Sequence, residues 1–393
     1  MHKLTTALGL PQHRFASIHV VGTNGKSSVT RMCATLLEAH GLRSGACLSP
    51  HASRWSERTL VAGEEIDAAA WAEAVEKVAR AAAGVDRSLE EGEAVTQFEA
   101  ATAATFVALA SARVEVAAIE AGLGGRLDAT NVIPSKVTVL TSIGLDHTEW
   151  LGETEAEIAA EKLAVLRDHT TLVLGEVSPA VETLAERTAG ERGARLLRAP
   201  TDPGSEVEVR APGEYQRRNF ALACAAVGAF LGRLDRNAVL QAAAEVTVPG
   251  RLELIAADPP TYVDAAHNPA GATALAASLP ALAGGRPVVG CLAILADKDA
   301  EAMVRALAPA LDSAVCTELP AAALQGHGRP GARSRPATEL ASACEGVGLE
   351  AEAEPSFAAA LRRARALAAE REGLTLVTGS HYAIAPARAE ANH

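Results

Sequence analysis

Four short runs rich in apolar and β-branched residues constrain this chain's fold more than any other feature: "SIHVVG" from Ser17, "SGACLS" from Ser44, "VEVAAIE" from Val114 and "KVTVLTSIG" from Lys136. They are largely continuous rather than alternating. Strands of this kind are buried on both faces, as in a parallel sheet covered by helices. The segment after the first run places Val29, Met32, Cys33, Leu36 and Leu37 at helical spacing. An α/β protein with a mostly parallel sheet is expected, and ligands of such sheets sit outside the carboxyl ends of the strands.

Each run leads to residues able to hold a phosphate or a metal. The first continues into "TNGKSSVTRM", giving strand, glycine-bearing loop and helix in that order. Gly22 and Gly25 let backbone N–H groups turn toward an anion, the helix N-terminus adds its positive dipole end, and Lys26 adds a mobile charge. Ser27 and Ser28 can cap the helix or assist Mg²⁺ and phosphate. Only Thr23 and Asn24 separate the two glycines, fewer than in the common P-loop, so a phosphate cradle and a plain strand-to-helix turn both satisfy the local pattern. The second run stops at Ser49, the third at Glu120, and the fourth leads to His147 in "LDHTEW". A carboxylate ending a buried strand beside a phosphate loop suits Mg²⁺, which takes a few oxygen ligands and fills its shell with water and substrate phosphates. Singly, Glu120 is also a solvated strand terminus and His147 a cap or core-edge residue. Their coincidence at the strand ends favours a site.

Lys162 is an independent clue. "GETEAEIAAEKLAVLRDH" starts with Thr154 and Glu157 at capping-box spacing. At about 100° per residue, Ile158, Ala159, Leu163, Val165 and Leu166 form one apolar arc that contains Lys162. A lysine there snorkels to water, pairs, or loses its charge to burial, and the last course leaves an amine open to modification or to use in a site.

The 393 residues give room for two domains, and 49% hydrophobic content supplies their cores. A net charge of −12 disfavours nucleic acid and anionic membrane as partners. The polar residues Gln12, His13 and Arg14 interrupt the amino-terminal apolar residues, and no long uncharged segment follows, so a cytoplasmic protein is expected. Six scattered cysteines without a CxxC pair argue for reduced thiols.

The motifs "GTNGKSS", "SPH", "TQFE", "EAGLGGRLDATN", "IGLDHTEWLG", "EK", "GEYQRRN", "PGRLE", "VDAAHNP", "LADKD" and "TGSHY" run through most of the chain. In this order they resemble the folylpolyglutamate synthase/dihydrofolate synthase family of the Mur ligase superfamily. The resemblance implies an N-terminal P-loop ATPase domain with a mostly parallel sheet, 1–247, and a smaller Rossmann-like α/β domain, 248–393, that binds glutamate. Pro249-Gly250 fits a hinge, and Leu324 to Pro336, where Gly and Pro recur, reads as a surface loop. The implied reaction is ATP-dependent: a carboxylate of dihydropteroate or a reduced folate is phosphorylated and then attacked by the amine of L-glutamate. By matching motif, Gly25, Lys26, Ser27 and Ser28 would hold ATP phosphates, with Ser49 and Glu120 on one Mg²⁺. His147 and a carbamylated Lys162 would serve a second. Asn219 would meet adenine, and Arg251 and Asp264 the nucleotide. His267 and Ser380 would lie near glutamate, while Thr96, Gln97, Phe98 and Glu99 with Leu127, Asp128 and Ala129 match pterin-binding segments. Lys26, Glu120, His147 and Lys162 are thus the expected catalytic set, in a monomer.

Five departures stand out: Ser27 and Ala265 where glycine is usual, Ala52 in place of leucine, "EKLAVL" in place of "EKAGI", and His381 at an apolar position. Two other readings share the nucleotide motifs, a Mur-type ligase for another carboxylate and a nucleotide-binding regulatory module without turnover. The latter has no need of a second metal or a modified lysine.

Overall fold

The computed structural model describes residues 1–325 and 331–391. The chain forms two compact units, Met1–Arg210 with Arg217–Thr247, and Ala211–Gln216 with Val248–His393.

The first unit is built on an eight-stranded sheet with order β4-β3-β2-β5-β1-β6-β7-β8. Its strands are β1 (Ala16–Val21), β2 (Ser44–Cys47), β3 (Thr59–Val61), β4 (Glu64–Glu65), β5 (Val116–Glu120), β6 (Val137–Leu140), β7 (Thr171–Leu174) and β8 (Arg195–Arg198). From β2 to β8 every pairing is parallel, and β3 and β4 add an antiparallel edge. The expected runs are therefore strands, and β1 and β5 lie near the centre with almost every residue buried. The unpredicted β3–β4 ribbon covers the edge of β2.

Helices pack on both faces: α1 (His2–Ala7), α2 (Lys26–Ala39), α3 (Ala68–Asp86), α4 (Gln97–Ser111), α5 (Thr148–Leu151), α6 (Glu155–Leu163), α7 (Pro179–Glu191) and α8 (Glu214–Leu231) are among them. Phe106 and Leu109 of α4 pack with Cys47, Ala117 and Ile119, whereas Ala34 of α2 packs with Ala46, Leu48 and Leu60. Successive strand residues point to opposite faces, so continuous apolar strands are what two helical layers require. Leu163 and Leu166 join Val21, Leu140 and Leu174 in a further cluster that secures α6. Fully burying a side chain such as Phe106 contributes about 1.5–3 kcal/mol.

The second unit has a six-stranded sheet with order β13-β12-β11-β14-β10-β9. Its strands are β9 (Glu253–Ala257), β10 (Pro260–Val263), β11 (Val288–Leu292), β12 (Ser313–Cys316), β13 (Ala351–Ala353) and β14 (Leu374–Thr378). Only β9 runs antiparallel. Its core joins Leu275, Leu279, Met303 and Leu340 from helices to Val288, Leu292 and Leu376 from strands. Of the expected loop from Leu324 to Pro336, 326–330 lie outside the described residues, and Ser334 forms an antiparallel bridge with Leu295. Among the described residues no helix is long and apolar enough to cross a membrane.

Candidate active site

The loop after β1 is pinned to the loop after β6 before it reaches α2. Thr23 N donates to Ser142 O (2.8 Å), Asn24 N to Ser142 Oγ (3.1 Å), and Thr141 Oγ1 to Asn24 O (2.6 Å). Gly25 sits at φ 83° as the N-cap of α2, and a Cβ there would lie 2.7 Å from Asn219 Oδ1 of α8. Glycine is favoured on both counts, because a Cβ would strain the left-handed backbone and crowd the Asn219 side chain. Asn219 thus lies against the loop. Lys26 opens α2 and donates to Thr23 O at 3.1 Å, while Ser28 is buried in the first turn.

Glu120 joins this loop to the one after β2. Its Oε1 accepts from Ser27 Oγ (2.8 Å) and its Oε2 from Ser49 N (2.9 Å), with the side chain only 1% exposed. A donor on each oxygen stabilises the carboxylate.

After β5 the chain turns through a glycine-rich loop against two helices. A Cβ on Gly122 would come within 2.3 Å of Phe98, and one on Gly125 within 2.8 Å of Lys162 O. Asp128 closes the loop by accepting from Leu123 N (2.9 Å), Thr130 N (2.9 Å) and Thr130 Oγ1 (2.5 Å). Burial raises its pKa, opposed by these bonds. Because Thr130 gives its proton to Asp128, its hydroxyl accepts from His19 Nε2 at 2.8 Å; His19 Nδ1 is left without a partner and burial pulls the imidazole down to about 3. Ala129 is buried, while Leu127 is 92% exposed.

Lys162 lies inside α6 and is only 4% exposed. Burial pushes its pKa down to about 7, assisted by the charge of Lys26 and opposed by Asp146, Asp128 and Glu161. Those influences set Lys26, Lys162 and the His147 neighbourhood in one electrostatic environment. His147 has a left-handed backbone, φ 53°, at the start of α5, with its Nε2 3.9 Å from Asp146 Oδ1. Gly25 to Ser28, Ser49, Glu120 and Asp128 thus stand at or after the carboxyl ends of β1, β2 and β5, with Asn219 against Gly25, Lys162 against Gly125 and His147 at the start of α5 after β6.

Thr96 and Glu99 have local work in addition. They form the capping box of α4: Thr96 Oγ1 accepts from Glu99 N (3.2 Å) and Glu99 Oε2 from Thr96 N (2.9 Å), while Glu99 also pairs with the terminal ammonium. Gln97 and Phe98 follow in the first turn.

In the second unit, Arg251, Asp264, His267 and Ser380 gather near the carboxyl ends of β10 and β14. Asp264 accepts from Tyr215 Oη (2.7 Å), Leu252 N (3.0 Å) and Ala266 N (2.8 Å), and Arg251 Nη1 lies 3.8 Å from it. His267 Nδ1 is 2.9 Å from Ala265 O, and its ring is 6.2 Å from that of His381, which packs on Tyr382 at 3.9 Å. Ser380 Oγ accepts from Tyr382 N.

Two family descriptions match the chain: Mur ligase middle domain over residues 20–199, and Mur ligase glutamate ligase domain over residues 250–381. The dihydrofolate synthase/folylpolyglutamate synthase of Mycobacterium tuberculosis is 38% identical over 352 residues, spanning 80% of this chain and 72% of that protein. This chain belongs to the Mur ligases, in the folylpolyglutamate synthase/dihydrofolate synthase family. A solved Mycobacterium tuberculosis folylpolyglutamate synthase, complexed with ADP and AMPPCP, is 34% identical with a TM-score of 0.91, covering 100% of this chain and 94% of that one. A bifunctional folylpolyglutamate synthase/dihydrofolate synthase with Mn, AMPPNP and L-glutamate bound is 27% identical, TM-score 0.83, covering 99% and 93%.

Several residues beside the candidate site escaped the sequence reading. Arg58 is buried with its guanidinium 4.5 Å from the Trp55 ring and 5.9 Å from that of Phe98, and its Nε donates to His51 Nδ1 at 2.9 Å. Arg58 and Phe98 line a narrow crevice that also reaches Ser49 and Glu120. Leu123 on the loop after β5, Leu145 on the loop after β6 and Trp150 in α5, the last 73% exposed, are exposed apolar residues. Exposed apolar residues on loops flanking a polar site are the available signal, and exposure is not encoded in a residue's type.

Proposed function

We propose that this chain is an ATP-dependent, ADP-forming ligase that joins L-glutamate to dihydropteroate, to a reduced folate, or to both. The acceptor carboxylate oxygen attacks the γ-phosphorus of ATP and ADP leaves, giving an acyl phosphate. The glutamate amine attacks the acyl carbon, phosphate leaves, and the nitrogen gives up a proton as the amide forms.

Such chemistry asks the protein for in-line positioning and for neutralisation of the transferring oxygens. Gly25 to Ser28 hold the phosphates, Lys26 moves its ammonium from Thr23 O to the transferring group, and Asn219 meets the adenine. The oxygen donors Ser49 and Glu120 suit a divalent cation. An ion held by these two oxygens would complete its shell with phosphates and water. A second Mg²⁺ is assigned to His147 and Lys162; at a pKa near 7 the amine is neutral often enough to form a carbamate by attacking CO₂ and releasing a proton. Mg²⁺, when bound, would offset the negative charge developing on the phosphoryl oxygens. Phe98, Gln97 and the Leu127–Ala129 loop receive the pterin end, with Thr96 and Glu99 fixing the helix start. Arg251 and Asp264 serve the nucleotide, and His267 and Ser380 the incoming glutamate. The enzyme works as a cytoplasmic monomer.

The observation that carries this reading is Glu120, a buried carboxylate bonded at once to the phosphate-loop Ser27 and to Ser49. The test is incubation with ATP, Mg²⁺, glutamate and each acceptor in turn. ADP release should require the acceptor, and the product should be heavier by one glutamyl residue. Release of ADP that ignores the acceptor would refute ligation.

A further inference from the structure

The sheet of the first unit has a second recess at its other end. It has a volume of about 580 Å³ and lies among α1, the turn Pro11–His13, and the amino ends of β6 and β7. That is about 20 Å from the phosphate loop, taking the six residues of β1 at about 3.3 Å each. Its size falls within the range of small-molecule sites.

The charge of this recess is one-sided. Lys136, Arg167, His2 and His13 contribute to its lining, and no Asp or Glu does, on a chain whose net charge is −12. Arg167 is fixed by carbonyl oxygens: its Nε donates to Ile133 O (3.2 Å) and its Nη2 to Asn131 O and Oδ1. Burial and Arg192 both lower its pKa, opposed in part by Asp168.

Two lining residues add unused hydrogen-bonding capacity. Gln12 and Ser135 are 2% and 1% exposed, and Gln12 Oε1 and Ser135 Oγ have no hydrogen-bond partner. An amide oxygen can only accept, so a matching ligand brings an N–H or O–H donor as well as negative charge. Buried polar atoms left unpaired are costly, and a ligand that pairs them recovers that cost. Leu10, Val132 and Ile133 supply apolar surface.

We infer that this recess is a binding site for a small organic anion, one carrying a carboxylate or phosphate together with an N–H or O–H donor. Lys136 and Arg167 meet the anionic end, and Gln12 Oε1 and Ser135 Oγ, sealed in the wall of the recess, reach the donor by a side-chain rotation. The site is separate from the one at Glu120, though its wall includes Asn131 and Val132 of the turn that begins at Asp128.

The test is calorimetric titration of the full chain with γ-glutamylglutamate, which offers carboxylates and N–H donors, and with ribose 5-phosphate, which offers phosphate and O–H donors. Wild type, Lys136→Glu, Thr6→Trp and Lys26→Ala are compared, with thermal melts to verify folding. At least one probe should bind wild type and Lys26→Ala with Kd below about 1 mM, and Lys136→Glu should weaken it about tenfold or more, the scale of one lost charged contact. Thr6→Trp, which fills the recess from α1, should abolish the signal; if it does not fold, Lys136→Glu decides. Absence of binding by both probes, or binding that Lys26→Ala removes and Lys136→Glu leaves intact, overturns the inference. Neither ATP nor folate is present, so a failed ligation assay leaves this test standing.

Discussion

Glu120 and Lys162 are both buried ionisable side chains of the candidate site, and the protein treats their charges in opposite ways. Glu120 has a donor on each oxygen, so its charge is solvated by Ser27 and the Ser49 amide. Lys162 lies in an apolar helix face with another cation as its strongest electrostatic neighbour, and its pKa falls to about 7. Burial alone therefore does not decide the state of a group; the atoms that replace water do. The carboxylate oxygens are each held by a donor, and the amine is ready to lose its charge and react.

The largest expected effect tests both sides. Glu120→Gln and Lys162→Met should each lower turnover by about a thousandfold, the upper range for loss of one electrostatic contributor. Only the lysine side should respond to dissolved CO₂. Wild-type activity should fall in CO₂-stripped buffer and return with bicarbonate, and this dependence should sharpen below pH 7, where protonation removes the nucleophilic lone pair. Turnover indifferent to bicarbonate at every pH would break the contrast.

Stability should separate the two sites next. The folded pKa of Lys162, about 7, lies below its ordinary 10.5, so the unfolded chain binds the extra proton between those values and stability rises with pH across that window. In metal- and CO₂-free protein, Lys162→Met should be stabilising below pH 7, on the order of a few kcal/mol, and the gain should shrink toward pH 10.5. Glu120→Gln should give no such gain. Urea titrations at pH 6.5 and pH 10 read the difference.

His19 shows whether the same rule operates without reactive chemistry. Its folded pKa, about 3, lies below the ordinary 6.5, so acid protonates the unfolded chain first and stability falls as pH drops below 6.5. The loss between pH 7 and pH 5 should be about 2 kcal/mol. His19→Leu should remove that slope while losing the bond to Thr130. An unchanged slope in the variant would mean that other groups carry it.

What could be read from the sequence follows the same division. Glu120 was legible because a buried strand ends on it, and Lys162 because a helical wheel sets it among Ile158, Ala159 and Leu163. Both signals are local. Arg58 was not legible, since in "SERTL" nothing distinguishes a buried arginine from a solvated one, and Phe98 lies forty positions later. The three-residue β3 and two-residue β4 are too short to carry a pattern. Thr96 and Glu99 had the same capping-box spacing as Thr154 and Glu157, so their part in starting α4 was readable beside the motif they belong to. The recess at the amino ends of the strands assembles residues from distant segments, and no sequence window contains it.

The smallest effect concerns the acceptor side, where shape replaces charge. Phe98 fits against Gly122, whose missing Cβ leaves the ring room, and it lies 5.9 Å from the Arg58 guanidinium. If this face receives the pterin end, Phe98→Ala should raise the acceptor KM about tenfold, equivalent to about 1.4 kcal/mol, and leave the KM for ATP unchanged. A parallel rise in both constants would mean that the ring acts by bracing the loop after β5, and through it Glu120. The ratio of the two KM values thus distinguishes a binding surface from a strut, which melting temperature alone does not, because either role loses the same half-buried ring.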